Sequence, residues 1–223
     1  MSGEVSNFNV SAVSIAPVSM SGAVAGDWIT LKNHAKCMVS IMLGTITTSV
    51  TIRLQQATAV AGTAAKALLF DSVVRSGGKI TCTPLAGTLQ EGETVTGGTS
   101  SATGKIHRKF TNQLILHTIT GTFQTAETIT GGTSAATATT TSAITDFGLR
   151  CRVAMTAAST IALTNAGEIY SIDIDGSDLD VANGFDCIMA DTSAVGGTSL
   201  CGISYLLSNG KYKEEPQKSP LID

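Results

Sequence analysis

Two copies of one short unit lie in the middle of this chain. GTLQEGETVTGGTSSATGKI at residues 87–106 matches GTFQTAETITGGTSAATATT at residues 121–140 in 12 of 20 positions, at a spacing of 34 residues. In each copy a Thr-rich segment precedes a glycine pair, Gly97-Gly98 or Gly131-Gly132. This order predicts a β-hairpin whose glycines adopt the positive φ angles of a tight turn. Because a unit this small cannot bury a core alone, we expect the two copies to pack into one β module.

The segments that flank the repeats indicate an insertion. RSGGK at residues 75–79 and the low-complexity TATTTSAIT at residues 137–145 are typical of flexible connections. We therefore predict a β module over residues 76–145, inserted at a loop of a discontinuous parent domain formed by residues 1–75 and 146–223.

Period-two alternation dominates the predicted parent domain. Residues 50–54 (VTIRL) and 170–174 (YSIDI) alternate apolar with polar side chains, which predicts half-buried strands. The more apolar runs at residues 37–43 and 203–207 predict strands that are covered on both faces. The predicted fold class is all-β, with a β-sandwich or jelly-roll-like parent domain.

Two further segments of the parent domain give local predictions. We expect Trp28, Ile41 and Ile172 in the hydrophobic core. Residues 55–69 are rich in alanine, but Gly62 and several threonines interrupt them, so we predict a loop or an irregular strand rather than a helix.

Composition excludes several classes of partner. Charged residues make up 14% of the chain and the formal net charge is -3, so no dense basic patch for nucleic acid is expected. No run approaches the roughly 18 apolar residues of a membrane span. The N-terminal segment carries Glu4 and Pro17 and lacks the basic start of a signal peptide, so secretion by that route is not expected.

The cysteines and glycine pairs carry no motif. The five cysteines are odd in number and widely scattered, so we interpret them as small buried apolar residues: Cys37, Cys82, Cys151, Cys187 and Cys201. Neither repeat pair of glycines, nor Gly196-Gly197, is followed by the Lys-Ser/Thr of a phosphate-binding loop. No cofactor is therefore expected.

The histidines are the first place to look for catalysis. His34 lies in KNHAK, which predicts a residue at a strand edge or turn, and no nucleophile elbow G-x-S-x-G occurs in the chain. His107 and His117 lie inside the predicted module without a nearby acidic residue, and could stack or hydrogen-bond across strands. We predict no catalytic residue and no enzymatic activity.

The acidic segment DIDGSDLD is the strongest metal candidate. Asp173, Asp175, Asp178 and Asp180 offer the hard oxygen ligands that calcium prefers, but the glycine position and the missing closing glutamate depart from the EF-hand loop. We interpret the segment as a strand that ends in a turn, with Asp178 capping a short helical turn toward Ala182. Calcium binding by these four residues is the alternative.

Several segments carry a resemblance to a known class of proteins. The units GETVTGGTS and AETITGGTS resemble a repeat of virion proteins from tailed bacteriophages and prophages. The parent domain resembles phage particle proteins that combine four segments: LKNHA (31–35), LQQATAVAGTAAKAL (54–68), DLDVANGFD (178–186) and SYLLSNGKY (204–212). The resemblance implies a structural virion protein, with a head decoration or cement subunit as the closest role. It also implies binding to the major capsid protein and a closed homo-oligomer, a trimer by preference.

Two other functions are compatible with the sequence. A tail- or fibre-associated virion protein would use the inserted module to bind a host glycan or a neighbouring subunit. A hydrolase of cell-envelope polymers would need convergent carboxylates, with Asp173 and His34 as the residues to test. The charged C-terminal segment GKYKEEPQKSPLID (210–223) predicts an extended tail, either disordered or lying across a neighbouring subunit.

Overall fold

Strands form where apolar and polar side chains alternate along the chain. The computed structural model describes residues 8–19, 21–83, 89–193 and 199–210. Within these ranges the chain forms sixteen β-strands, two short 3-10 turns and no α-helix, which confirms the predicted all-β fold class. The C-terminal segment 211–223 and the pair Gly196-Gly197 lie outside the described residues.

The strands of the first half are β1 (Phe8–Ser19), β2 (Ile29–Thr30), β3 (His34–Leu43), β4 (Val50–Ala57), β5 (Lys66–Ala67), β6 (Phe70–Thr81), β7 (Thr94–Gly97) and β8 (Thr103–Phe110). Those of the second half are β9 (Gln113–Thr120), β10 (Thr128–Gly131), β11 (Thr137–Thr139), β12 (Thr145–Ala158), β13 (Thr160–Leu163), β14 (Ile169–Asp175), β15 (Cys187–Thr192) and β16 (Leu200–Gly210). The 3-10 turns span Gly176–Asp178 and Val181–Asn183.

Two antiparallel sheets form a sandwich-like body. The larger runs β1-β16-β3-β14-β6, with β12 on the far edge of β6, and the smaller runs β13-β4-β15-β2, with β5 beside β4. Inward side chains of both sheets join one hydrophobic cluster that includes Ile41, Ile52, Ile172, Ile188 and Ile203, each at most 1% exposed. Burial of these residues is the main stabilisation of the body.

The repeats continue the larger sheet and close it on itself. Beyond the second half of β6 the strand order is β9-β8-β7-β10-β11. The chain after β11 then returns to β6, because Cys82 forms an isolated bridge with Thr140 and the Thr141 N–H donates to the Thr81 carbonyl at 2.8 Å. In the described part of the chain, β6, β9, β8, β7, β10 and β11 thus form a ring that these contacts close, hereafter the repeat module.

The repeat module has an internal two-fold pseudosymmetry. Ile80 of β6 pairs with Leu114 of β9, and Thr96 of β7 pairs with Thr130 of β10. In both pairs the partners are 34 residues apart, which is the repeat spacing, so the pseudo-axis passes through both pairs. Each copy forms the predicted hairpin, β7 with β8 and β10 with β11, and the strands that precede the copies, β6 and β9, follow the same symmetry.

A second hydrophobic cluster fills the repeat module. It includes Ile80, Val95, Leu114, Phe123 and Ile129, and none of its buried members belongs to the cluster of the sandwich. The predicted boundary between residues 75 and 76 falls inside β6, whose Phe70 and Val73 pack in the sandwich. Division of the chain into a parent domain and an insertion stays a prediction.

Local predictions met different outcomes. Ile41 and Ile172 are fully buried as predicted, but Trp28 is only half-buried and packs over Gly62, where an added Cβ would lie 2.8 Å from Trp28 Nε1. The prediction for Trp28 is wrong, because other side chains, Tyr170 and Tyr205 among them, fill the core between the sheets. Residues 55–69 form the end of β4, a turn and β5, without a helix.

The two most apolar runs are central in the sheet but not covered on both faces. β3 and β16 each have two strand neighbours, yet their side chains alternate between buried and partly exposed, and Met42 is 44% exposed. One face of the larger sheet is thus open in this chain.

Candidate functional site

The turn of each repeat is stabilised by a glutamate that belongs to the other repeat. Glu127 of the second repeat accepts hydrogen bonds from the backbone N–H of Thr99 (3.3 Å) and Ser100 (3.0 Å) and from the Ser100 hydroxyl. Glu93 of the first repeat accepts the equivalent bonds from Thr133 (3.2 Å) and Ser134 (2.9 Å). Each repeat therefore holds the turn of the other.

The glycine pairs work differently from the prediction. Positive φ angles occur at Ser101 (56°) and Ala135 (54°), not at the paired glycines. Gly97 and Gly131 are required for space, because a Cβ on either would lie 2.5 to 2.6 Å from a carboxylate oxygen of Glu127 or Glu93. The position of the turns is as predicted, but the predicted reason for the glycines, a positive φ angle, is wrong.

Both glutamates are ionised in the fold. Burial raises the pKa of Glu93, but hydrogen bonds from Ser134, Gln90 and Thr133 outweigh it and leave the pKa below its ordinary value. The same balance lowers the pKa of Glu127. A carboxylate that accepts several N–H and O–H bonds is stabilised in its charged form.

We expect acid to weaken the repeat module through these two groups. Because the folded pKa lies below the unfolded value, their contribution is complete above that unfolded value and is lost as the pH falls through the folded pKa. The urea midpoint of the wild type should therefore fall between pH 5 and pH 3 more steeply than that of a double Glu93→Gln, Glu127→Gln variant. Parallel declines of the two proteins would contradict the assignment.

The histidines are placed as structural residues. His107 of β8 and His117 of β9 contact edge to face, with ring centroids 6.0 Å apart, which is the cross-strand contact considered from the sequence. Burial, together with the charges of Arg75, His107 and Lys105, lowers the pKa of His117 to about 4. His34 begins β3 and is buried, and its Nδ1 has no hydrogen-bond partner among the described residues.

The acidic segment is divided among three ion pairs. Asp173 contacts Arg152 at 2.6 Å, Asp175 contacts Lys36 at 3.6 Å, and Asp180 pairs with Lys66. The helical turn toward Ala182 is Val181–Asn183, and its N-cap is Asp180, without a side-chain cap hydrogen bond, rather than the predicted Asp178. A second turn, Gly176–Asp178, is capped by Asp175, whose Oδ1 accepts from Ser177 N, while Asp178 Oδ2 accepts from Asp175 N. In the described part of the chain no three His, Cys, Asp or Glu side chains are grouped for one metal ion.

All five cysteines are buried free thiols, as predicted. Burial raises the pKa of Cys37 to about 12 and that of Cys201 to about 11, so neither is a nucleophile at neutral pH.

The four segments that carry the phage resemblance meet at one end of the sandwich. Gln56 accepts from the Asp180 N–H at 2.8 Å, and Lys66 lies 3.9 Å from the centre of the Phe185 ring. The Leu31 N–H donates to the Asp186 carbonyl, and His34 pairs with Gly210. These contacts hold the four segments together, so a structural role accounts for their residues.

A cleft of about 470 Å³ lies where the repeat module meets the sandwich. Ser76 and Gly77 of β6, residues 119–121 at the end of β9 and residues 164–168 before β14 line it. We call it the junction cleft. No single segment of the sequence predicts it, because its three walls are far apart in the chain.

A buried polar cluster supports the junction cleft. Arg75 Nη2 donates to Glu168 Oε2 at 2.6 Å and to the Tyr170 hydroxyl at 2.8 Å, and the Arg75 and Glu168 side chains are each 13% exposed. Asn165 Nδ2 donates to Glu168 Oε1 (2.8 Å) and to the carbonyl of Ile119 (3.3 Å). Arg75 Nε is buried without a hydrogen-bond partner among the described residues.

The outer face of the larger sheet is a second candidate surface. Strand register places Met42 beside Ile169, Ser40 beside Ser171 and Ser204, and Val13 beside Ser204. Val13, Met42 and Ile169 are 64%, 44% and 48% exposed. Arg152 pairs with Asp173 at one end, and Arg150 of β12 reaches across the surface to the Ser171 hydroxyl. We call this surface the outer face.

The described residues contain no helix with the length and hydropathy of a membrane span.

Comparison with known proteins adds one distant likeness. No family model and no curated protein matches the chain. Among solved structures it is similar to the crystal structure of SPBc2 prophage-derived protein YomS, at 13% sequence identity and a TM-score of 0.36, over 89% of this chain and 92% of that one. A likeness of this degree carries no argument about function, which is therefore argued from the residues themselves.

Proposed function

We propose that this chain is a non-catalytic structural subunit of a tailed-phage particle, and that it decorates the head by binding the major capsid protein. The sequence resemblance of the repeats and of the four parent segments to phage virion proteins supports the class of protein. The observation that carries the mode of action is the outer face, which combines exposed apolar side chains with serines and whose charged side chains are contributed mainly along the β12 side and the end near Asp173.

The composition of the outer face suits docking to another protein. Protein interfaces have an apolar centre with few charges and a polar rim. Met42 and its neighbour Ile169 supply apolar area, while the ion pair of Arg152 with Asp173 lies toward the rim. Ser40 and Ser204 are small and partly exposed, so a partner can approach the sheet closely there, whereas the Arg150 side chain covers Ser171.

A charge at the centre of the outer face should abolish docking without unfolding the chain. Met42→Arg introduces an unpaired cation where the contact would exclude water, so we expect at least about a tenfold loss of affinity for purified capsids. The melting temperature should stay within a few degrees because Met42 is 44% exposed. Binding can be measured by cosedimentation with capsids.

Thr130→Arg is the matched control, because Thr130 is exposed on the repeat module, away from the outer face. Equal binding of Met42→Arg and Thr130→Arg would refute the outer face as the docking surface.

Cryo-electron microscopy of the intact particle tests the role itself. A decoration subunit should occur in many copies as symmetric oligomers on the capsid lattice, and we propose a trimer. Density confined to the tail would favour the alternative of a tail- or fibre-associated protein, present in only a few copies.

The proposal assigns no catalytic step. Asp173 is engaged with Arg152, and the orphan Nδ1 of His34 contacts no carboxylate within the described ranges. A hydrolase would need a base and an acid free to act on substrate. Hydrolysis of envelope polymers that is lost on changing Asp173 or His34 would overturn this part of the proposal.

A further inference from the structure

We propose that the junction cleft is a binding site for a short neutral saccharide of one or two sugar rings. Its volume of about 470 Å³ lies within the range of small-ligand sites, and such sites concentrate where two packed units meet. The site is separate from the outer face, so this inference goes beyond the proposed structural role.

The charge of the junction cleft selects against ionic ligands. Among the described residues Glu168 is the only charged side chain that lines it, and Arg75 neutralises that carboxylate at 2.6 Å. The carboxylate oxygens are also occupied by Arg75 and Asn165. An anionic ligand would approach the Glu168 carboxylate without a free cation to bind it, and a cationic ligand would have to displace Arg75 from that carboxylate. A neutral molecule therefore fits best.

The hydrogen-bonding groups of the junction cleft suit a polyhydroxylated ligand. The Thr120 hydroxyl has no hydrogen-bond partner among the described residues, and the Thr164 hydroxyl, which donates to Asn165 Oδ1, can still accept; the Ser76 hydroxyl is already bonded to the Ile169 backbone as donor and acceptor. Sugar hydroxyls both donate and accept, so they can pair with the Thr120 hydroxyl in either direction and donate to that of Thr164.

The other lining residues of the junction cleft leave space for a ligand and add a small apolar area. Gly121 and Gly167 have positive φ angles of 77° and 71°, and a Cβ added at Gly167 would meet no atom within 4 Å. The backbone is therefore approachable at this wall. Ile119 and Ala166 offer the apolar contact that the C–H faces of a sugar ring require.

The test uses the full-length protein and a panel of neutral mono- and disaccharides of glucose, galactose and N-acetylglucosamine. Saturation-transfer NMR detects weak contacts, and titration gives the dissociation constant. In Ala166→Trp a large ring enters the cleft from an exposed loop position, so we expect at least about a tenfold weakening of binding. Ala162→Trp, an exposed residue of β13, is the matched control and should bind as the wild type does.

The outcomes separate this inference from the structural role. Binding that is lost in Ala166→Trp and kept in Ala162→Trp supports the site, whatever the protein's place in a particle. No contact with any sugar of the panel, or binding unaffected by Ala166→Trp, would overturn it. Capsid binding should be unchanged in Ala166→Trp, because the outer face is intact.

Discussion

Glu127→Ala should destabilise the repeat module by about 2 kcal/mol, since it removes a buried carboxylate that accepts several partly buried hydrogen bonds. The carboxylate is 3% exposed and accepts from the N–H groups of Thr99, Ser100 and Gln124 and from the Ser100 hydroxyl. Unfolding by urea, followed by circular dichroism, measures the loss at pH 7.

Hydrogen exchange gives the sharper readout, because the effect should appear in the other repeat. In Glu127→Ala the amides of Thr99 and Ser100 should lose protection while those of Thr133 and Ser134 keep it. Glu93→Ala should show the reverse pattern, since Glu93 binds the second turn.

Glu91→Ala is the matched control. Glu91 is exposed and accepts one bond, from the Lys109 N–H at 3.0 Å, so its loss should cost less than about 1 kcal/mol. Loss of protection in the mutated repeat alone, or an effect no larger than that of Glu91→Ala, would contradict stabilisation of each turn by the glutamate of the other repeat.

The alternation of apolar and polar residues predicted where strands form, but not how the two sheets pack against each other. β3, β4, β14 and β16 lie where apolar residues alternate, because a strand buried on one face imposes that period. The position of Trp28 failed because residue type alone does not say where two sheets leave room for an indole ring. Room of that kind depends on packing across the whole sandwich.

The repeats were found in the sequence, and their symmetry was not. A spacing of 34 residues shows duplication, but the pairing of β7 with β10 and of β6 with β9 is a contact between copies. One signal was available: Glu93 and Glu127 occupy the same position of each copy, directly before the Thr-rich strand. An acid retained in both copies of a nearly uncharged unit indicates a shared polar contact.

The candidate sites were less predictable than the fold. The junction cleft is assembled from β6, the end of β9 and the loop before β14, which only tertiary structure brings together. The acidic segment attracted attention because its carboxylates are close in sequence. Ion pairs with Lys36, Lys66 and Arg152 divide those carboxylates, and these partners come from other strands.

Tyr205→Phe should destabilise the sandwich by about 2 to 3 kcal/mol, through loss of a buried hydroxyl that joins its two sheets. Tyr205 lies on β16 of the larger sheet, is fully buried, and accepts from the Ala190 N–H of the smaller sheet at 2.7 Å. Its hydroxyl also donates to the Asp27 carbonyl (3.1 Å) and accepts from the Ser14 hydroxyl (3.0 Å).

The hydroxyl is a dependable donor because burial raises the pKa of Tyr205 to about 12. Phenylalanine keeps the ring and its packing, but leaves the Ala190 N–H without an acceptor in a region that excludes water. Loss of this one atom therefore tests the polar contact apart from the hydrophobic core.

Tyr170→Phe is the control, because Arg75 keeps Glu168 as its partner when the Tyr170 hydroxyl is removed. We expect it to cost about 1 kcal/mol, less than Tyr205→Phe. Amide exchange should rise in β15 and β16 of Tyr205→Phe and stay unchanged in the repeat module, whose core is separate. Equal losses in the two variants would show that the Tyr205 hydroxyl does not join the sheets.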